Sequence, residues 1–344
     1  MTADAPLAPL TTIGLGGNAR WLARCTNADE LRASLGFAAR EGLPVQVFSG
    51  GSNIIFADEG FDGVVVNVAN RGIREEISEE EVRLSAGAGE PWDGIVRLAV
   101  ERGWGGIECL SGIPGSAGGT PVQNVGAYGQ EVSDTLTSVR ALDRRTLSEK
   151  EFSRDECGFG YRESRFKKDD ADRFIITEVR FLLRKNRTPE IRYAELRKEL
   201  DARGGVLTLR AVRDAVIGLR RRKSMVIDPA DGNSRSVGSF FTNPVVTEEF
   251  FASRMNGIPV PTYPAPGGVK LSAGWLVEQA GFPRGFARPG AGISDNHALA
   301  IVNRGGTTSD VLTLASEIEK GVEMKFGVRL RREAVVVMRT PGKP

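Results

Sequence analysis

Two glycine-rich segments are the strongest candidates for ligand chemistry in this chain. The first, residues 49–53, reads Ser-Gly-Gly-Ser-Asn and follows an apolar run that predicts a strand. Successive glycines let neighbouring N–H groups point into one concavity, which suits phosphate oxygens, and the serine and asparagine side chains can donate as well. The same residue types also form ordinary hairpin turns. The segment therefore indicates either a phosphate site or a turn.

The second segment, residues 112–129, reads Gly-Ile-Pro-Gly-Ser-Ala-Gly-Gly-Thr-Pro-Val-Gln-Asn-Val-Gly-Ala-Tyr-Gly. It holds few large apolar side chains for a core element and many glycines for a plain loop. No Gly-Lys-Ser/Thr follows, which excludes a Walker loop. No GxGxxG motif opens a helix after a first strand, which excludes the Rossmann fingerprint. The segment favours backbone lying against a large flat ligand with a diphosphate, on another nucleotide-binding architecture.

Three polar side chains elsewhere have residue types and settings that suit catalysis. Arg162 lies among aromatic and cationic residues and could hold a carboxylate with two hydrogen bonds, although a solvated surface strand explains it as well. Ser239 stands between a glycine and two phenylalanines, where its hydroxyl could be dry and able to give a proton, or could simply form a turn. Glu333 shares one face of a predicted strand with Val335 and Val337, which indicates either an acid in an apolar setting or a solvated edge.

Several classes of function are excluded by residue counts and spacing. The single histidine, His297, cannot form a multi-histidine metal site, and we expect it to be structural. Cys25, Cys109 and Cys157 are widely spaced and form no CxxC pair. This spacing argues against a disulfide framework or a thiolate zinc site and favours a reducing compartment. The absence of a GxSxG motif leaves a hydrolase triad poorly supported.

Composition and charge are those of an ordinary globular protein. Hydrophobic residues make up 40% of the 344 residues and charged residues 26%, which is enough to bury a core and excludes a disordered or fibrous chain. The 46 basic and 44 acidic residues nearly cancel, so neither nucleic acid nor a membrane surface is required as a partner. We find no signal-peptide pattern and no apolar stretch near the ~18 residues of a membrane span. The length suggests about two domains.

Helices are predicted where apolar residues recur every three or four positions. Asn27 and Glu30 form a predicted capping box before the first helix, which Gly42 ends. The strongest later patterns are a helix at 209–222 and an amphipathic helix that begins near Ser309 and ends near Gly327. Their inward-facing residues are expected to be Val212, Ala215, Val216, Leu219, Val311, Ala315, Ile318 and Val322.

Strands are predicted from short apolar or alternating runs bounded by turn residues. They fall at 44–48, 63–68, 82–86, 139–142 and 174–183, with a helix from Trp92 to Gly103 among them and a terminal strand at 328–338. This order places each glycine-rich segment after a regular element, so the elements can hold both segments in place.

Seven motifs resemble, in the same order and over nearly the whole chain, those of the UDP-N-acetylenolpyruvoylglucosamine reductase family. They occupy residues 11–17, 49–53, 112–129, 161–164, 238–244, 270–281 and 327–333. The densest match is residues 112–129, where the family pattern GIPG…GG.P.QN.GAYG is complete. Tyr193, together with residues 160–167, is similar to the longer class of this family, in which a tyrosine-bearing loop closes over the substrate.

The resemblance implies an α+β, FAD-binding fold of the vanillyl-alcohol-oxidase (PCMH) type with a smaller α/β substrate-binding domain. The implied division is an FAD-binding region at 1–208, with subdomains at about 1–70 and 71–208, a substrate domain at 209–326, and a C-terminal strand at 327–344 returning to the active site. FAD would be bound non-covalently, because the glycine segments contain no His or Cys. NADPH would be the hydride donor.

The resemblance also implies which residues contact the ligands. FAD would contact Gly50, Gly51, Ser52, Asn53, Gly112, Ile113, Pro114, Gly115, Ser116, Gly118, Gly119, Gln123, Asn124, Gly126, Ala127 and Tyr128. The substrate, UDP-N-acetylglucosamine enolpyruvate, would contact Tyr193, Lys223, Asn243 and Lys270.

The implied reaction forms UDP-N-acetylmuramate in peptidoglycan precursor synthesis. NADPH gives a hydride to FAD, and the enol ether then replaces the nicotinamide and receives that hydride at C3. Ser239 would give the proton at C2, while Arg162 and Glu333 would stabilise the developing charge through the substrate carboxylate. This scheme needs neither a histidine nor a metal. We expect a monomer that works in the cytoplasm.

Two segments depart from the family pattern. Residues 224–238 are longer than the compact Lys-Leu-Pro-Asp-Pro segment, a difference that bears on Lys223 and not on Ser239. Arg331 and Arg332 replace a commoner acidic start before the glutamate, and we expect only an effect on surface charge. Two other functions compete with the reductase: another FAD-dependent oxidoreductase of the alcohol or amine oxidase type, and a non-catalytic sugar-nucleotide-binding protein.

Overall fold

The structure, a computed structural model, describes residues 1–339. Its strands β1 to β20 are, in chain order, Thr2–Pro6, Asn18–Cys25, Val45–Phe48, Ile54–Phe56, Phe61–Val68, Ile73–Ile77, Glu81–Gly87, Trp104–Gly105, Gly126–Ala127, Gln130–Glu131, Leu136–Asp143, Glu149–Ser153, Phe174–Lys185, Val245–Val246, Thr262–Ala265, Gly268–Leu271, Ala287–Arg288, Ala291–Ile293, Ile301–Asn303 and Val335–Val337. Its helices α1 to α7 are Ala28–Arg40, Trp92–Glu101, Ala194–Arg203, Leu209–Arg222, Glu248–Phe250, Ala273–Gln279 and Thr308–Phe326.

The described chain divides into two compact units, neither of which is continuous in sequence. The first unit contains residues 1–5, 19–51 and 62–222. The second contains residues 6–18, 52–61 and the chain from 223 onward. The segment 49–53 therefore passes from one unit to the other between Gly51 and Ser52.

The first unit contains two sheets and one large core. Its six-stranded sheet has the order β12-β11-β13-β7-β6, with β8 pairing to β13, and its four-stranded sheet has the order β1-β2-β5-β3. Both sheets contribute to a single cluster with α1 and α2, in which Leu35, Val66, Val96, Leu142 and Phe181 are buried. The strands predicted at 44–48, 63–68, 82–86, 139–142 and 174–183 are all present as β3, β5, β7, β11 and β13.

Helix α1 confirms the predicted N-cap but not the whole capping box. The Asn27 side chain accepts from the Glu30 N–H at 2.9 Å. The Glu30 carboxylate instead accepts from the N–H and hydroxyl of Thr26. The reciprocal bond is displaced by one residue because Thr26 offers two donors to the carboxylate.

Helix α4 confirms the prediction at 209–222, including its inward face. Val212, Ala215, Val216 and Leu219 are buried in one cluster with residues such as Leu196 and Cys109 of the first unit. The predicted domain boundary at 208/209 would place α4 with the substrate domain. The compact units differ at this point, because the apolar face of α4 packs within the first unit.

The second unit is built around α6, α7 and three small sheets. The sheets have the orders β14-β16-β15 and β17-β18-β19, and β20 pairs in parallel with β4. Helix α7 has a complete capping box between Thr307 and Asp310, and its predicted inward residues are buried in the core of this unit. Within residues 1–339, no helix is both long and apolar enough to cross a bilayer.

The predicted terminal strand at 328–338 is wrong in extent. Only Val335–Val337 are regular strand, because residues 331–333 make irregular backbone bonds with residues 240–242 instead. Val335 is 47% exposed and Val337 is 6% exposed, so Glu333 does not alternate with a uniformly buried apolar face. Residues 340–344 of this prediction lie outside the described residues.

Candidate active site

Residues 112–129 are bonded to the segments that flank helix α2 and strand β7. The Trp92 N–H donates to the Gly115 carbonyl at 3.0 Å, and the Gly118 N–H donates to the Ala88 carbonyl at 2.9 Å. A Cβ on Gly118 would lie 2.5 Å from the Ala88 Cβ, so only glycine permits this approach. The regular elements of the first unit therefore fix the path of the second glycine segment.

The two glycine segments meet within the first unit at Gly50 and Gly115. A Cβ on Gly50 would lie 2.5 Å from the Gly115 Cα and 2.9 Å from the Ser116 nitrogen, which are backbone atoms that cannot swing away. The Ser49 hydroxyl donates to the Val68 carbonyl at 2.6 Å and holds the first segment at its start. The sequence predicted one ligand for both segments, and their contact agrees with that prediction.

The residues at this junction fit the diphosphate of FAD. The Ser116 hydroxyl is buried and has no hydrogen-bond partner among residues 1–339, so it retains a donor for a ligand oxygen. A Cβ on Gly119 would meet no described atom within 4 Å, so space remains beside the backbone there. The other predicted FAD residues of the first unit lie in the same two segments: Gly51, Ile113, Pro114, Gln123 and Ala127.

The start of residues 112–129 is held by a charged pair that the sequence did not predict. Asp93 on α2 accepts two hydrogen bonds from Arg213 on α4, both at 2.7 Å, and a third from the Gly112 N–H at 2.6 Å. The Arg220 guanidinium donates to the Gly112 carbonyl at 3.1 Å. Burial acts to raise the pKa of Asp93, but the bonds from Arg213 and Gly112 outweigh it and hold that pKa below its ordinary value.

We expect Asp93→Asn to lower the free energy of unfolding at pH 7 but not in acid. A depressed native pKa contributes stability above the unfolded pKa of ~3.9, and this stability is lost as pH falls through the native pKa. The loss at pH 7 should be on the order of 1 kcal/mol, because the carboxylate is partly exposed and its bonds are screened. Urea unfolding at pH 7 and in acid near pH ~3 measures it.

Asp29→Asn is the control for this prediction. Asp29 also pairs with an arginine, at 2.9 Å, but it is almost fully exposed, so its replacement should change little at either pH. An equal loss for Asp93→Asn at both pH values would show that the carboxylate charge is not what stabilises the start of the segment.

Asn124 has a different environment from the one expected of an FAD ligand. It is 1% exposed, and its amide NH₂ donates to the Glu131 carboxylate at 2.7 Å and to the Gly160 carbonyl at 3.2 Å. Its Oδ1 accepts from the Ser133 N–H at 3.1 Å. Its side chain therefore ties the segment to its neighbours, and we assign it to supporting the loop rather than to touching the cofactor.

Arg162 is attached to the glycine segment by its own side chain. Its Nη2 donates to the Gly126 carbonyl at 2.7 Å, and its guanidinium lies 5.5 Å from the centre of the Tyr161 ring. The neighbouring Ser164 is buried and donates to the Val122 carbonyl at 2.6 Å. These bonds place the arginine at the edge of residues 112–129, which the surface-strand interpretation did not require.

Tyr128 and Tyr193 form an edge-to-face pair with ring centres 5.5 Å apart. Burial raises the pKa of Tyr128 to about 12, so its hydroxyl stays protonated and can donate. Tyr193 remains 40% exposed immediately before helix α3. The structure thus brings one predicted FAD residue and one predicted substrate residue together.

In the second unit, backbone hydrogen bonds connect the segment 49–53 to Glu333 and to the residue after Ser239. The Asn53 amide NH₂ donates to the Glu333 carbonyl at 3.1 Å, and the Asn53 carbonyl accepts from the Val335 N–H at 3.0 Å. The Glu333 N–H in turn donates to the Phe240 carbonyl at 2.8 Å. Three predicted site positions that are far apart in sequence are therefore neighbours.

The predicted substrate residues of the second unit occupy defined positions. The Asn243 Oδ1 accepts from the Ala273 N–H at the start of α6 at 2.9 Å, which orients the amide NH₂ as the donor. Lys270 lies on β16 opposite Tyr263, with its Nζ 5.8 Å from that ring centre. Lys223 is the first residue of this unit after α4.

Comparisons with known proteins decide the family. A model described as the C-terminal domain of UDP-N-acetylenolpyruvoylglucosamine reductase matches residues 228–337, and an FAD-binding-domain model matches residues 19–146. The reductase of that name from Thermobifida fusca is 45% identical, over 97% of this chain and 97% of its own. The one from Mycobacterium tuberculosis is 49% identical, over 96% of this chain and 94% of its own. The chain belongs to the UDP-N-acetylenolpyruvoylglucosamine reductase family.

Membership of this reductase family confirms the predicted α+β fold and its FAD cofactor, and it makes the chain an FAD-dependent oxidoreductase. A solved UDP-N-acetylenolpyruvylglucosamine reductase from Thermus caldophilus has the same fold, with a TM-score of 0.65 at 24% identity. That comparison covers 96% of this chain and 97% of the solved one.

Groups outside these segments do little of the chemistry that cysteines and histidines usually supply. The three cysteines of this reductase are free and buried, and burial raises the pKa of both Cys109 and Cys157 to about 12. They are therefore protonated thiols and not nucleophiles. The His297 Nδ1 accepts from the Leu299 N–H at 3.0 Å, which is the structural role expected of it. Residues 1–339 contain no group of three or more acidic, His or Cys side chains placed for a metal ion.

Sequence reasoning missed the contacts of Arg332. It was expected to affect only surface charge, but its Nε donates to Glu319 at 2.7 Å and its Nη2 donates to the same carboxylate at 2.8 Å and to the Ser316 hydroxyl at 3.0 Å. The arginine and the glutamate side chains are each less than a third exposed. The only signal in the sequence was that an arginine departs from the reductase family pattern beside Glu333.

Proposed function

We propose that this chain reduces UDP-N-acetylglucosamine enolpyruvate to UDP-N-acetylmuramate with NADPH. The observation that carries the proposal is the network through Asn53, Glu333 and Phe240 in the second unit, because it links an FAD-segment residue, an acid and the neighbour of Ser239. A reaction that transfers a hydride and a proton to one double bond needs these three kinds of group near each other.

Ser239 is the proposed proton donor to C2 of the substrate. The phenylalanines that follow it, Phe240 and Phe241, are buried, so the hydroxyl is held next to an apolar core. The Phe240 N–H donates to the Leu299 carbonyl at 2.7 Å and its carbonyl accepts from Glu333, so the backbone beside the serine is fixed on both sides. A serine is a weak acid, and a fixed, water-poor position is what makes its proton usable.

Arg162 and Glu333 are proposed to hold the substrate carboxylate as charge develops on it. An arginine can make two parallel hydrogen bonds to a carboxylate, and a fixed donor is most effective where water is excluded. The bond from Arg162 to Gly126 uses one part of the guanidinium fork. A protonated Glu333 could donate to the same oxygen.

We propose that FAD is held without a covalent bond by the two glycine segments, through Gly50, Gly51, Ser52, Asn53, Gly112, Gly115, Ser116 and their neighbours. FAD supplies the chemistry of accepting a hydride from NADPH and passing it to C3 of the enol ether. The buried, unpaired Ser116 hydroxyl and the close pair of glycine backbones favour a diphosphate at this position.

The UDP part of the substrate is proposed to bind Tyr193, Lys223, Asn243 and Lys270. Two lysines supply positive charge for a diphosphate, and the Asn243 amide is oriented by its bond to Ala273. Tyr193 offers a half-exposed ring beside Tyr128 for closure over the ligand. We place the reaction in the cytoplasm, where UDP-sugars and NADPH are made and where the three free thiols stay reduced. A monomer remains our prediction.

Anaerobic stopped-flow absorbance of the purified, FAD-loaded protein tests the proposal. NADPH should bleach the flavin band, and UDP-N-acetylglucosamine enolpyruvate should then restore it with formation of UDP-N-acetylmuramate. Recovery only on admission of oxygen would overturn the proposal and would favour an oxidase of alcohols or amines. A protein that cannot be loaded with FAD would favour a sugar-nucleotide-binding protein instead.

A further inference from the structure

The segment that carries Glu333 has a side-chain anchor on helix α7. Arg332 donates through Nε and Nη2 to both oxygens of Glu319, and Nη2 also reaches the Ser316 hydroxyl. Glu319 and Ser316 lie three residues apart on α7 and therefore face the same way. All three residues and Glu333 belong to the second unit.

The anchor is stronger than an ordinary surface ion pair. Two parallel N–H···O bonds fix both the distance and the plane of the guanidinium, and both partners are largely covered. Helix α7 is 19 residues long, is capped at Thr307, and buries Val311, Ala315 and Ile318 in the core. It therefore offers a rigid support for the segment.

The anchor acts on a short segment in which Glu333 has little freedom of its own. Arg332 pairs with Phe241 as an isolated antiparallel bridge, and the Thr242 N–H donates to the Arg331 carbonyl at 3.0 Å. On the other side of Glu333, Asn53 bonds the Glu333 carbonyl. Backbone bonds alone allow the segment to slide or tilt, whereas a bidentate side-chain contact to a helix fixes it.

We propose that Arg332, Glu319 and Ser316 form a clamp that positions Glu333 for the reaction. Arg332 is a positioning residue in this assignment, because it acts through Glu333 and not on the substrate. The inference rests on the proposed function of Glu333 and adds the group that sets its position. It also explains why an arginine can stand where the family pattern has another residue: the clamp supplies the rigidity from α7.

The test is Arg332→Gln, with Arg331→Gln as the matched control. Arg331 is the adjacent residue and is exposed, so its replacement removes the same charge without touching the clamp. Arg332→Gln should slow recovery of the flavin band by the enol ether roughly 10-fold to 100-fold, since small misplacements of a reacting group cost that much. Bleaching by NADPH should be unchanged in both variants, and Arg331→Gln should recover at the wild-type rate.

Non-additivity separates positioning from general loss of structure. In a Glu333→Gln background, Arg332→Gln should cost almost nothing more, because the group that it positions is already gone. Multiplicative losses in the double variant would overturn the inference. Glu319→Gln should reproduce the effect of Arg332→Gln, and thermal unfolding of the FAD-free chain should show that the two losses of stability are also not additive.

Two further outcomes are distinguishable. If Arg332→Gln does not fold, Arg332→Lys and Ser316→Ala carry the same test, and we expect intermediate rates from both because each keeps part of the clamp. Wild-type rates in both would overturn the inference. If the wild-type flavin is not restored by the enol ether at all, the proposed function fails. If it is restored and Glu333→Gln is slow while Arg332→Gln matches Arg331→Gln, only the clamp fails.

Discussion

Replacing Ser239 by alanine should leave bleaching of the flavin by NADPH nearly intact and slow its recovery by the enol ether about 10²-fold to 10⁴-fold, the usual contribution of a general acid. The hydride step to FAD needs no proton from the serine, whereas completion of the product does. The backbone on both sides of Phe240 is fixed by the Leu299 and Glu333 bonds, so loss of one hydroxyl should not move the segment. Single-turnover stopped flow of each half-reaction measures the effect.

Ser253→Ala is the control for the Ser239 prediction. Ser253 is an exposed serine of the same unit whose hydroxyl bonds only locally, to the Phe250 carbonyl at 3.2 Å. Its replacement should change neither half-reaction. If Ser239→Ala slows both half-reactions together, the serine supports cofactor or nicotinamide binding and the proton must come from another group.

The second large effect is expected from Gly50→Ala, which should release FAD. The added Cβ would lie 2.5 Å from the Gly115 Cα, and neither backbone can rotate away as a side chain could. Overpacking of this kind costs about 1–3 kcal/mol, which would raise the Kd for FAD roughly 10-fold to 100-fold if the two segments separate. Titration of the FAD-free protein with FAD, followed by fluorescence, gives the Kd.

Two glycine variants bracket that result. Gly36→Ala lies within α1, where the new Cβ would meet only Arg40 at 3.6 Å, so FAD affinity should be unchanged. Gly119→Ala meets no described protein atom, so it should leave the stability of the FAD-free chain unchanged and weaken only FAD binding. Full FAD affinity in Gly50→Ala would show that the cofactor does not depend on the contact between the two segments.

The regular elements with strong periodicity were predictable from the sequence because local propensity and burial agree in them. Helices α4 and α7 lie within a residue of their predicted bounds, and their predicted inward residues are buried. Residues 112–129 were also found, since so many glycines have few explanations other than close approach of backbone. The contact between Gly50 and Gly115 is one instance of that approach.

The failures occur where long-range contacts decide the local structure. The terminal strand was predicted too long, because apolar character in residues 328–334 reflects burial without regular pairing. Arg332 was taken for a surface charge, because no local pattern shows that Glu319 of another element lies within 2.7 Å of it. Asn124 was assigned to FAD from a motif, whereas its three protein hydrogen bonds come from residues that only the fold brings near.

The pairing of β4 with β20 has a consequence for how the protein is made. Asn53 and Glu333, which this pairing brings together, are 280 residues apart, and translation at ~5–20 residues per second separates them by tens of seconds. Throughout that interval Ile54, Ile55 and Phe56 lack the strand that later covers them. The nascent chain can complete the sheets of the first unit in this time, but it has no proton-transfer site until residues 333–337 have left the ribosome.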